Sequence, residues 1–170
     1  ICSDAKNRLN ILSAIFDALV RRDLSGAFQP ALAQSWQVAP DARRWTFHLR
    51  NDVLFHNGDS LTATDVVASL ERACGPEVGG ELGTEGVWAS YLGDAKLKVI
   101  DPLTVQMITA RPMADLLDLL VAIPILPQSA LANVPDEFVG SGPYRVLKAT
   151  DQEVTLAPFP EAKVRQPALN

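Results

Sequence analysis

The chain has 170 residues, 48% of them hydrophobic and 21% charged, with a formal net charge of −5. That apolar content excludes a disordered chain, and an acidic sequence whose basic residues are scattered offers no electrostatic footprint for nucleic acid. No stretch reaches the roughly 18 uninterrupted apolar residues of a membrane-spanning helix; the longest, Leu116 to Leu126, is broken by Asp118 and Pro124.

The sequence opens on Ile1-Cys2, with no initiator Met and no basic start leading into an apolar run. It reads as one compact domain cut from a longer protein, so a missing signal sequence leaves the compartment open. Cys2 and Cys74 allow one disulfide or two thiols, and spacing alone does not choose between them. Leu9, Leu12, Ile15, Phe16 and Leu19 share a helical face, which predicts a helix from Leu9 to Val20 that Asp23-Leu24-Ser25-Gly26 breaks. Leu32 to Val38 reads as extended and Pro40-Asp41-Ala42 as a turn. Arg44 to Arg50 alternates, with Trp45, Phe47 and Leu49 on one face and Thr46, His48 and Arg50 on the other. Val53-Leu54-Phe55 predicts a short strand, closed by the Asn57-Gly58 turn.

Thr62 and Asp65 have capping-box spacing for a helix that buries Val66, Val67, Leu70 and Ala73 and stops at Gly75-Pro76. Glu77 to Gly86 is glycine-rich and reads as a loop; Val87 to Leu92 holds one or two helical turns at most. Lys96 to Ile100 and Leu103 to Ile108 predict a hairpin turning at Asp101-Pro102. Pro112 suits the first position of an apolar helix carrying Leu116, Leu117, Leu119 and Leu120, and Pro127 the start of a turn through Leu131. Gly140-Ser141-Gly142-Pro143 is a sharp bend. Tyr144 to Leu147 and Val154 to Leu156 form a last hairpin around Thr150-Asp151, and the pattern is lost after Pro160. Strands joined by short turns and interleaved with helices give an α+β class: a mixed, mainly antiparallel sheet with packed helices.

Candidate chemistry is sparse. His48 and His56, eight apart on a strand and a turn, have no metal-ligand spacing, so no metal or cofactor is expected. Asp115 and Asp118 read as a solvated helix face. Ser141 lacks the G-x-S-x-G strand-to-helix setting of a hydrolase nucleophile, and no enzyme activity is expected. Trp36, Trp45, Phe47 and Phe55 read as core. Trp88 and Tyr91 follow the glycine-rich loop outside any core pattern, either as packing residues or as aromatics facing an apolar pocket.

Three groups of residues carry a resemblance. Ala31-Leu32-Ala33-Gln34-Ser35-Trp36-Gln37-Val38 precedes Trp45-Thr46-Phe47-His48-Leu49-Arg50 and Val53-Leu54-Phe55-His56-Asn57-Gly58. Leu61 to Val67 and Ser69-Leu70-Glu71-Arg72 follow, and then Val139-Gly140-Ser141-Gly142-Pro143-Tyr144. In this order, over residues 11 to 160, they resemble family 5 bacterial solute-binding proteins, which include oligopeptide-, dipeptide- and nickel-binding proteins. The resemblance implies a two-lobed fold of the type II periplasmic-binding-protein class, closing on ligand by hinge motion. The chain would be part of the first lobe, with an inserted subdomain over about 8–143 and the second lobe absent. It further implies capture of a peptide or similar small solute outside the cytoplasmic membrane, at a periplasmic or cell-surface location, for an ABC transporter permease. Membrane contact would run only through that permease or a lipid anchor outside this piece. Trp88 and Tyr91 stand where several members place an aromatic facing ligand. Some bacterial transcription regulators resemble this family as well, which leaves a solute-sensing domain as the alternative.

Overall fold

The computed structural model describes residues 11–75, 86–133, 138–150 and 153–166. A helical turn at residues 11–15 leads into β1 (Val20–Arg22), paired antiparallel with β2 (Phe28–Pro30). Then come β3 (Ala33–Val38), β4 (Arg44–Leu49), helix α1 (Ala63–Ala73), the short helix α2 (Val87–Leu92), β5 (Lys96–Asp101) and β6 (Thr104–Ile108). Helix α3 (Leu116–Leu120), a 3-10 turn (Gln128–Asn133) and the hairpin β7 (Tyr144–Ala149)–β8 (Val154–Pro158) follow.

The central sheet has the order β3-β4-β6-β5, with every neighbouring pair antiparallel. Alternation in β4 decides which face is buried. Trp45, Phe47 and Leu49 point inward, and across the ladder Met107 and Val105 stand opposite Trp45 and Phe47. The Trp45 and Phe47 rings stack at 6.3 Å. Val66, Leu70 and Ala73 of α1 enter the same core, joined by Phe55, Leu116, Leu120, Ile123 and Ile125. Burying each such aliphatic or aromatic side chain contributes about 1.5–3 kcal/mol, so this layer dominates the stability. Trp36 is only half-buried, packed against the core from β3. β3 is an edge strand of the sheet.

Helix α1 is placed by its first turn. Thr62 accepts from Asp65 N at 3.4 Å, while Asp65 Oδ2 accepts from Thr62 N at 2.8 Å and from its hydroxyl at 2.7 Å: the capping box expected from sequence. The other carboxylate oxygen, Oδ1, accepts from Gln128 N at 2.8 Å, so one buried side chain caps two elements. Ser69 adds a second tie, donating to Leu126 O at 3.1 Å and accepting from Leu126 N at 3.0 Å. The β5–β6 turn completes the setting, since Pro102 O accepts from Ala63 N at 2.8 Å.

Three expected elements are corrected. The first helix stops at residue 15 rather than Val20, and Val20–Arg22 is a strand. Tertiary partners claim its backbone there: Ala18 O and Leu19 O accept from Leu32 N and Ala33 N, and Asp17 O from Ile125 N. Pro112 lies ahead of α3 instead of opening it; the helix begins at Leu116, after Met113 N has bonded to Ala42 O. Val53-Leu54-Phe55 shrinks to a single bridge, Leu54 opposite Ser60, around the positive-φ Gly58. The Glu77–Gly86 loop, but for Gly86, lies outside the described residues, as do Cys2 and with it the disulfide question.

Thr62→Ala should lower unfolding free energy in urea by about 1 kcal/mol, the usual cost of a lost cap. Asp65→Ala should cost roughly 2–3 kcal/mol, because Gln128 N is orphaned along with the α1 cap.

Candidate ligand-binding surface

Helix α2 carries the two aromatics singled out in the sequence. It opens at Gly86, in the left-handed conformation at φ 68°, which a residue without Cβ adopts freely. Helical spacing then sorts the side chains. Leu92 is buried in the main core, and Trp88, four residues earlier, is half-buried against it. Tyr91 lies off that line and is 49% exposed. The structure thus places the pair on one short helix but separates their roles: Trp88 packs, while Tyr91 presents its ring to solvent. Cys74, at the end of α1, approaches this helix, its thiol 3.9 Å from Trp88 O. Burial, with Glu71 nearby, pushes the Cys74 thiol up from its ordinary value.

A second cluster forms where the glycine bend meets the start of the described chain. Gly142 N donates to Ile15 O at 2.8 Å. A Cβ on Gly140 or Gly142 would collide with the carbonyl oxygens of Ile15 and Ala14, so close approach rather than positive φ requires these glycines. Ser141 is buried and donates to Asp17 Oδ2 at 3.1 Å. The other Asp17 oxygen receives Arg165 through Nε at 3.1 Å and Nη2 at 2.9 Å. Arg165 also donates to the carbonyls of Phe16 and Ser13. His56 also holds the bend, with Nδ1 accepting from Gly140 N and Nε2 donating to Gly142 O at 3.0 Å; its ring meets Phe159 edge-on at 4.8 Å. Beside it lies an open depression of about 440 Å³, lined by His56, Phe138, Val139, Arg145 and Val146 among others.

Chemically, the second cluster reads as architecture. Ser141 Oγ faces a carboxylate and has no histidine among its hydrogen-bond partners, which is not the geometry of an activated nucleophile. His48 lies 3.4 Å from the Thr104 hydroxyl, and Asp118 pairs with Arg22, whose guanidinium also covers the Phe28 ring. Asp115 makes no side-chain cap bond to α3. Among the described residues no three His, Cys, Asp or Glu side chains gather as a metal site, and no helix is long and apolar enough to cross a membrane. Asp17 and Arg165 were not foreseen. A lone carboxylate inside the apolar run Ile15 to Val20 is a signal for the first, but Arg165 sits in a tail without pattern.

The model of bacterial extracellular solute-binding proteins, family 5, middle region, matches residues 27–170. The chain belongs to this family. It is 40% identical over 83 residues to the periplasmic oligopeptide-binding protein OppA of Haemophilus influenzae, covering 49% of this chain and 14% of that one. Among solved structures it is similar to AgaA of A. tumefaciens R10 in complex with agropinic acid, at TM-score 0.80 and 31% identity over 94% of this chain and 32% of that one. It is also 29% identical over 161 residues to the HTH-type transcriptional regulator SgrR of Photorhabdus laumondii, over 91% of this chain and 26% of the regulator. The chain therefore spans between about a seventh and a third of the length of these relatives. The family is one of binding proteins, and the α+β architecture agrees with its solved members.

Arg165→Ala should destabilise the protein by about 2 kcal/mol, below the 3–5 kcal/mol of a fully enclosed pair because the Arg165 side chain keeps 37% exposure. Adding Asp17→Asn to that variant should recover part of the loss in urea denaturation, since the uncompensated buried charge is then gone.

Proposed function

We propose that this chain is part of the first lobe of an extracytoplasmic receptor for an ABC importer, binding a peptide or similar small solute and delivering it to the permease. The observation that carries the reading is the family match over residues 27–170, joined by the structural likeness to a ligand-bound member. The single domain would comprise the inserted subdomain, about 8–143, and the bend and hairpin that return from it. Residues outside this chain would supply the second lobe, and solute would be held between the two. The receptor would act in the periplasm or at the cell surface, without catalysis.

Tyr91 is the side chain of this chain proposed to face the ligand. A large ring exposed on a short helix gives apolar area and a hydroxyl at low entropic cost, which suits a pocket that takes varied solutes. Trp88 would support it from beneath, its indole against the core.

The likeness to SgrR favours a second reading, a solute-sensing domain in a transcription regulator. A DNA-binding module encoded ahead of residue 1 would decide for that reading, and a signal peptide or lipobox for the first.

Isothermal titration of a di- to pentapeptide library against the full-length protein and against this chain alone is the direct test. Binding by the full-length protein only is the expected result; comparable binding by the chain alone would show that it holds a complete site. Tyr91→Ala should weaken binding by about tenfold, the upper range of one aromatic contact. Trp88→Ala should instead lower the urea midpoint.

A further inference from the structure

His56 holds the glycine bend through three groups at once, its backbone N–H and both ring nitrogens. His56 N donates to Gly140 O at 2.8 Å, Gly140 N donates to Nδ1 at 3.3 Å, and Nε2 lies 3.0 Å from Gly142 O. Since Gly140 N can only donate, Nδ1 must accept and the ring proton must sit on Nε2. The arrangement holds for one neutral tautomer and fails for the imidazolium, which has no acceptor nitrogen. The bend has little slack to absorb the change, because Gly140 and Gly142 already lie against the backbone of Ala14 and Ile15.

We infer that His56 is a proton-sensitive clasp on the Gly140–Gly142 bend: a proton added at Nδ1 displaces the Gly140 N–H from the ring and leaves that side of the bend held only by the backbone bond from His56 N to Gly140 O.

The charged groups around the ring decide whether the imidazolium could be held another way. Asp17, from the segment after the first helical turn, attracts a proton to the ring, but its Oδ1 is bound to Arg165 and its Oδ2 to Ser141. Arg145, from β7, repels it. Phe159, beyond β8, offers an apolar edge. On its own loop, Asp59 is engaged by Asn57 and Ser129. Burial, the largest influence, and Arg145 outweigh the Gly142 bond and Asp17, and the group sits below its ordinary value of 6.5. The sign follows directly. A histidine whose pKa is depressed on folding contributes stability above pH 6.5, and that contribution is lost as pH falls towards the folded-state value.

The test is an NMR titration of the intact protein labelled at histidine and glycine, the His56 signals assigned by their loss in His56→Gln. The expected result is an Nε2–H tautomer at neutral pH, a midpoint below 6.5, and a Gly140 amide resonance that moves with the same midpoint. His48→Gln should leave all three unchanged. In His56→Gln, which keeps a donor but cannot titrate in this range, the acid-linked shift of Gly140 should vanish. An Nδ1–H tautomer, a midpoint at or above 6.5, or a Gly140 amide indifferent to the titration would each overturn the inference. These readouts concern the bend itself, so they stand or fall independently of whether the protein binds a solute.

Discussion

A carboxylate taken out of water must be given partners, and Asp17 obtains them from parts of the chain far apart in sequence. Ser141 comes from 124 residues away and Arg165 from 148. The desolvation penalty of a lone buried carboxylate is several kcal/mol, and these two partners offset it. Satisfying it draws the glycine bend onto the exit of the first helical turn, and fastens the stretch beyond β8 against the same place. Much else follows from that meeting. Two glycines are needed because no Cβ fits there, the carbonyls of Ile15 and Phe16 are taken by the bend and by Arg165, and His56 finds both of its ring nitrogens opposite backbone groups.

The central layer was legible in the residues because its signals are local. Alternation from Arg44 to Arg50 marked the buried face of β4, and Thr62 with Asp65 marked the start of α1 within a residue. Asp101-Pro102 marked the β5–β6 turn, where Asp101 accepts from Leu103 N. What escaped was set by partners distant in sequence. Leu19 lies on a helical face by spacing, yet the backbone there is taken by Leu32 and Ala33, and Val20–Arg22 pairs with β2 as β1. Pro112 is chemically suited to open a helix, but Met113 N is already bonded to Ala42 O.

The candidate site was legible in a different way. Composition and periodicity left Trp88 and Tyr91 undecided between packing and binding; only the family resemblance singled them out as a site. The fold divides them, with Trp88 continuing the line of Leu92 into the core and Tyr91 turned outward. Six residues of helix carried too little periodicity for that division to be read in advance. Arg165 had no local pattern at all, since its meaning lies entirely in the carboxylate it reaches.

The apolar interior is not one body. Beside the large core sits a small one built on Ile15, Phe16 and Leu126, with Leu12, Val146 and Leu156 partly sheltered against it. The β7–β8 ribbon rests on this second cluster, and two strands with so little beneath them are marginal in water. Cooperativity is therefore graded along the chain. The four-stranded layer would then open as a unit, and the ribbon with its small core at lower cost. Amide protons of Val146 and Leu156 would exchange with solvent well before those of Phe47 and Val105. The bend is the joint through which the chain passes from one core to the other.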